Sequence, residues 1–140
     1  MNINEILNTY DSKINFMKGI ISLAKVDGII DPEEHNFFIN AMTELNISNE
    51  DINNLSKSLT DENIDKEIRF DNKKQSLFFL KEAIQLCYCD NAYSIEEQKL
   101  VKEFADKLSL TEETLKAIEN WTLEGYTWAQ KGEDLLQLEV

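Results

Sequence analysis

Five acidic residues have the type and spacing to bind a divalent cation: Asp27, Asp31, Glu34, Asp90 and Glu97. Carboxylate oxygens are hard ligands that suit Ca²⁺, Mg²⁺ or Mn²⁺ better than Zn²⁺. Asp27 and Asp90 each fall in the last turn of a predicted helix. A negative charge there opposes the helix dipole, at a cost of a few tenths to about 1 kcal/mol. Such an aspartate either binds a cation or accepts backbone N–H bonds from the turn, and the sequence leaves both interpretations open.

The other three acids also have a structural explanation. Asp31-Pro32-Glu33-Glu34 and Ser94-Ile95-Glu96-Glu97 are capping boxes, in which the glutamate bonds back to the first residue. An EF-hand loop would need acidic residues at its first and third positions, but Leu23 and Lys25 occupy them in the first unit, and Leu86 and Tyr88 in the second. The EF-hand is therefore excluded. The single histidine, His35, is interpreted as a surface residue, with a metal ligand beside Asp31 as the alternative.

No pattern in the sequence indicates catalysis. There is no phosphate-binding glycine loop, no nucleophile elbow and no Cys–His pair with supporting spacing. Cys87 and Cys89 fall on apolar positions and are predicted to be buried, reduced thiols. We therefore expect a protein that is not an enzyme, with a metal-dependent enzyme as the weakest alternative.

The net charge of −13 limits the partners of the chain. A field of that sign repels DNA, RNA and anionic lipid and favours cations and basic surfaces. No run of about 18 apolar residues is present, and the first residues lack the features of a signal peptide. The expectation is a cytoplasmic protein with a protein partner, no nucleic acid and no membrane insertion.

The elements that must position these residues are helices. The chain has one proline and four glycines, whereas turn-rich β proteins need many of both. Apolar residues recur at three- and four-residue steps in stripes such as Phe37-Phe38-Ala41-Met42-Leu45 and Leu77-Leu80-Ile84-Cys87. Ser48 and Thr111 begin further helices with acidic first turns. The pattern predicts an all-α, compact bundle of about seven to eight helices.

The sequence also contains an internal repeat. Residues 16–55 align without gaps on residues 79–118 at an offset of 63, and Asp27/Asp90 and Glu34/Glu97 are among the identical pairs. We therefore expect one domain over 1–140 that is made of two pseudo-symmetric helix–turn–helix repeats. Its predicted parts are repeat one at about 12–57, a connector at about 58–74, repeat two at about 75–120, and a C-terminal helical segment at 121–140.

The run Leu23-Ala24-Lys25-Val26-Asp27-Gly28-Ile29-Ile30-Asp31-Pro32-Glu33-Glu34 resembles the TerB-like family of tellurite-resistance proteins and of helical domains in DnaJ-type co-chaperones. Residues 90–97 and 104–110 resemble the second repeat of that family. The resemblance covers roughly residues 14–120. It implies a non-enzymatic helical module with metal-binding acidic turns, which acts with partner proteins in a stress response or in the scaffolding of a complex.

The C-terminal segment supplies an alternative to metal binding. Trp121, Trp128 and Leu135 recur every seven residues, and so do Gly125 and Gly132. The default expectation is that this helix docks on the bundle. Where the stripe is exposed, Trp121 and Trp128 become anchors for a protein partner or a homodimer. The alternative function is thus a protein-interaction module, or an inhibitor that mimics the charge of nucleic acid.

Overall fold

The computed structural model describes residues 2–26, 28, 30–61, 66–88 and 93–140. These residues form seven helices and no strand, so the all-helical prediction is confirmed. The helices are α1 (Ile3–Ile6), α2 (Tyr10–Val26), α3 (Pro32–Glu44), α4 (Asn49–Leu59), α5 (Lys73–Tyr88), α6 (Ile95–Lys107) and α7 (Glu112–Leu135). None of the helices in the described ranges has the length and apolar content to cross a bilayer.

Local side-chain chemistry sets the helix starts where the sequence predicted them. Asp31 and Ser94 are N-caps of complete capping boxes, and Ser48 and Thr111 cap α4 and α7. Each cap oxygen accepts a bond from an N–H group that has no partner within its own helix.

The helix bounds of the two halves coincide at the repeat offset. Helices α3 and α6 each have 13 residues, and both their first and their last residues are 63 positions apart. Asn46 and Ser109, also 63 apart, follow these helices with φ of 61° and 58°. The next residue bonds back five positions in both cases, from Ile47 N to Met42 O and from Leu110 N to Ala105 O. Both helices thus end in the same left-handed turn.

The core is built around the fully buried ring of Phe79 on α5. It packs against Phe16, Phe70 and Phe104 with ring centroids 5.5–6.0 Å apart. Helix α2 approaches this ring at Gly19, where an ideal Cβ would lie only 2.4 Å from Phe79 Cε1. Helix α2 also packs against α4 and α6, and α5 packs against α6 and α7.

Two residues of the apolar stripes lie outside the core. Phe37 is 60% exposed and Leu77 is 38% exposed. Leu100 occupies the position of α6 that corresponds to Phe37, yet it is only 3% exposed. The difference arises because α6 packs against both α2 and α5, whereas the principal contact of α3 is with α4.

Buried polar residues hold the N-terminal residues and the segment before α5 in place. Gln75, with no exposed surface, donates from Nε2 to Ile6 O and Asn8 Oδ1 and accepts from Asp71 N. Asn15 of α2 accepts from Arg69 N at 3.1 Å. These bonds satisfy polar groups that the helices leave unpaired, and they fix α1 on α5.

Candidate functional site

The described members of the acidic set work as helix caps. Asp31 Oδ1 accepts from Glu34 N at 2.8 Å, and Glu34 Oε1 accepts from Asp31 N at 3.4 Å. In the second box, Glu97 Oε1 accepts from Ser94 N at 2.9 Å, and Ser94 Oγ accepts from Glu97 N at 3.1 Å. Glu97 is buried, whereas Asp31 and Glu34 are exposed.

The two remaining predicted ligands, Asp27 and Asp90, lie outside the described residues. Gly28 is described and has a φ of 128°, a backbone conformation that favours glycine, as expected for the turn after α2. Over the described ranges, no three His, Cys, Asp or Glu side chains are grouped closely enough to hold a metal ion. The cation prediction therefore rests on Asp27 and Asp90.

The C-terminal half of α7 projects from the bundle. Leu115 and Thr122 of its first half are buried, but every residue from 123 to 140 is exposed. Helix α7 packs on α5, whose last residue, Tyr88, contacts the ring of Tyr126 at 5.9 Å. Only the first half of the predicted docking of this helix is therefore present.

The projecting half carries large apolar side chains on one face, which we call the α7 face. It consists of Trp121, Trp128 and Leu135, with Gly125 and Gly132 between them. Because 100° separates successive helical residues, these five positions fall within a sector of about 80°. Trp121 is 48% exposed, Trp128 79% and Leu135 65%. Trp121 and Leu135 are 14 residues apart, so the face is about 21 Å long.

Trp121 and Trp128 differ in how the bundle supports them. The Lys81 ammonium of α5 lies over the Trp121 ring at 5.3 Å, a cation–π contact that holds that indole at the edge of the bundle. Trp128 lies two helical turns further from the core and is the most exposed aromatic residue among those described. Large exposed apolar side chains that share one helix face mark an interaction site more often than scattered single residues do.

The glycines of the α7 face pack against no other part of the described chain. An ideal Cβ at Gly125 or Gly132 would meet no atom within 4 Å. Each costs a helix interior about 1 kcal/mol relative to alanine. Next to Gly132 lies an open hollow of about 450 Å³, which Trp128 and Leu135 border. The two glycines thus weaken the helix and provide space above its axis.

The projecting half of α7 and the residues that follow it are also acidic. Residues 123–140 contain four acids, Glu124, Glu133, Asp134 and Glu139, and one base, Lys131. Glu124 and Lys131 flank the α7 face on one side, and Glu133 lies on the other side. One side of the strip thus carries charges of both signs and the other is acidic, and the net negative charge of the segment favours a partner with apolar and basic groups.

A tyrosine cluster, which the sequence analysis missed, lies where α5, α6 and α7 meet. Tyr88 stacks near Tyr93 at 4.9 Å and near Tyr126 at 5.9 Å. Burial raises the pKa of Tyr93, and the neighbouring Glu119 carboxylate raises it further. No group among the described residues forms a hydrogen bond of normal geometry with the buried Tyr93 hydroxyl. The spacing Tyr88-x₄-Tyr93 was visible, but nothing local indicated that α7 would cover it.

The chain was compared with family models, curated proteins and solved structures. None of them matches it.

Proposed function

We propose that this chain is a non-enzymatic binding module that docks a partner protein on the α7 face. The observation that carries the proposal is the exposure of Trp121, Trp128 and Leu135 along one face of a projecting helix. Tryptophans contribute disproportionately to binding energy when a partner covers them. The 13 consecutive exposed residues 123–135 of the projecting helix also leave a large area accessible to a partner.

We further propose that the bundle is TerB-like, with two pseudo-symmetric repeats, and that it acts in the cytoplasm in a stress response or complex scaffolding. The two-repeat arrangement is supported by the equal lengths of α3 and α6 and by the matching left-handed turns at Asn46 and Ser109. The contacts α2·α4 and α5·α7 are equivalent under the same offset, as are α3·α4 and α6·α7. The family proposal predicts that the two units superimpose.

Divalent-cation binding is the second candidate, favoured by the occurrence of Asp27 and Asp90 at equivalent positions before two capped helices. This candidate is tested by measuring the melting temperature in EDTA and then with Ca²⁺, Mg²⁺, Mn²⁺ or Zn²⁺. An ion at about 100 times its Kd stabilises the native state by about 2.7 kcal/mol. Asp27→Asn/Asp90→Asn should abolish that shift. Equal melting of the parent in EDTA and in every ion would contradict the candidate.

The docking proposal is tested by affinity capture from extracts of the native host, with the full chain as bait. Trp128→Ala should lose a bound protein that the parent retains, because it removes the most exposed aromatic of the face. Phe37→Ala is the matched control, since it also removes an exposed aromatic residue, but from α3. Circular dichroism should show both variants folded. Capture that survives Trp128→Ala, or that is lost equally in the control, would contradict the proposal.

A further inference from the structure

We infer that the partner of the α7 face is a basic amphipathic helix, which inserts a large apolar side chain into the hollow beside Gly132. The inference rests on the proposed docking function and specifies the chemistry of its partner. Its evidence is the shape, the apolar content and the charge of the projecting half of α7.

The shape of the face fits an elongated partner. Its apolar residues form a straight strip about 21 Å long. A second helix that crosses such a strip packs its side chains into the gaps between those of the first, and small residues at the crossing permit closer approach. Gly125 and Gly132 are the small residues here, and none of the described residues places an atom within 4 Å of an ideal Cβ at either position.

The hollow beside Gly132 gives the contact a specific position. Trp128 and Leu135 line it, together with Ala129, Lys131 and Glu133. A leucine, phenylalanine or methionine of the partner would contact the indole and the leucine together and cover the helix backbone at Gly132. This arrangement gives a role to a glycine that otherwise only weakens an exposed helix.

The charge of the face selects against a second copy of the chain. Each copy carries a net charge of −13, and residues 123–140 contribute four acids against one base. Two α7 faces in contact would bring two segments of net negative charge together, and like charges across an interface are unfavourable. Lysine or arginine of the partner would instead lie near Glu133 on one side and near Glu124, which shares its side with Lys131, on the other.

The test uses the full chain and three tryptophan-free peptides of about 18 residues, long enough to span the face. All three have the same leucine stripe, and their flanks carry lysine, glutamine or glutamate. Binding is followed by tryptophan fluorescence and by calorimetry at low and at physiological salt. The lysine peptide should bind at least about tenfold more tightly than the glutamine peptide, and its advantage should shrink as salt rises.

The decisive variant is Gly132→Leu. It fills the hollow and strengthens the helix, so unfolding cannot explain a loss of binding. We expect it to weaken the lysine peptide by about tenfold or more, equivalent to about 1.4 kcal/mol. Leu123→Ala, which removes an exposed leucine from the opposite side of α7, should leave affinity unchanged.

The outcomes separate this inference from the docking proposal. Binding of the lysine peptide that Gly132→Leu and Trp128→Ala leave unchanged would reflect general attraction to an acidic protein and would overturn the inference. If all three peptides bind equally and Trp128→Ala abolishes their binding, the α7 face is a docking site but its partner need not be basic, and the inference is wrong. If sedimentation shows that the parent is a dimer and that Trp128→Ala dissociates it, the partner is a second copy of the chain and the inference is wrong. If none of the peptides binds, and Trp128→Ala captures the same proteins as the parent, both the inference and the docking proposal are refuted.

Discussion

Gly19→Ala should destabilise the bundle, although alanine is the better helix former. The new methyl group would lie 2.4 Å from Cε1 and 2.5 Å from Cζ of Phe79. The Phe79 ring has no exposed surface and is enclosed by Phe16, Phe70 and Phe104, so it has little room to move.

The magnitude follows from two opposing effects. Overpacking of a core lowers the free energy of unfolding by roughly 1–3 kcal/mol, and the change from glycine to alanine in a helix raises it by about 1 kcal/mol. With a contact this short we expect the upper part of the range, so the free energy of unfolding should fall by about 1–2 kcal/mol. For a chain of this size, that corresponds to a drop in Tm of roughly 3–8 °C.

Urea denaturation and thermal melting measure the effect, and Gly125→Ala is the matched control. The same substitution there meets no atom within 4 Å, so it should raise helicity without lowering Tm. Combining Gly19→Ala with Phe79→Leu should cost at least about 0.5 kcal/mol less than the sum of the single changes, because the clash is relieved. A Gly19→Ala protein as stable as the parent would refute the argument from close packing.

Three further changes test the polar and aromatic contacts. Ser94→Ala should lower the free energy of urea unfolding by about 1 kcal/mol through loss of the α6 cap, and an unchanged midpoint would contradict that role. Gln75→Ala should lower the free energy of unfolding by about 1–3 kcal/mol, because it leaves buried polar groups without their hydrogen-bond partner. A decrease no larger than that of an exposed glutamine, Gln130→Ala, would be inconsistent with the network. Tyr93→Phe should be neutral or stabilise by up to about 1 kcal/mol. Because folding raises the pKa of Tyr93, stability should fall above about pH 10 as the unfolded tyrosine ionises. Tyr93→Phe should reduce that fall, and an equally steep fall would argue against the assignment.

The helix starts were predictable because capping is local. Asp31, Ser48, Ser94 and Thr111 each accept a bond from the backbone three residues later, so the whole interaction lies within four residues of sequence. The scarcity of glycine and proline and the three- to four-residue apolar period likewise indicated helices without reference to tertiary contacts.

The candidate site was predictable only in part. The sequence identified Trp121 and Trp128, because their seven-residue spacing is a property of one helix. It did not identify the tyrosine cluster, since Tyr88, Tyr93 and Tyr126 come together only when α7 lies against α5. The roles of Asp27 and Asp90 remain predictions.

The sequence by itself therefore determined the helical class, the caps and the apolar stripes, because each depends on interactions between residues at most a few positions apart. The tertiary structure alone decided which stripes became core. Phe37 and Leu100 have equivalent positions in equivalent helices, but only Leu100 lies beneath neighbouring helices. Burial depends on which element lies opposite. Among the described residues, no element lies opposite α7 beyond Tyr126, and its apolar face is left exposed there.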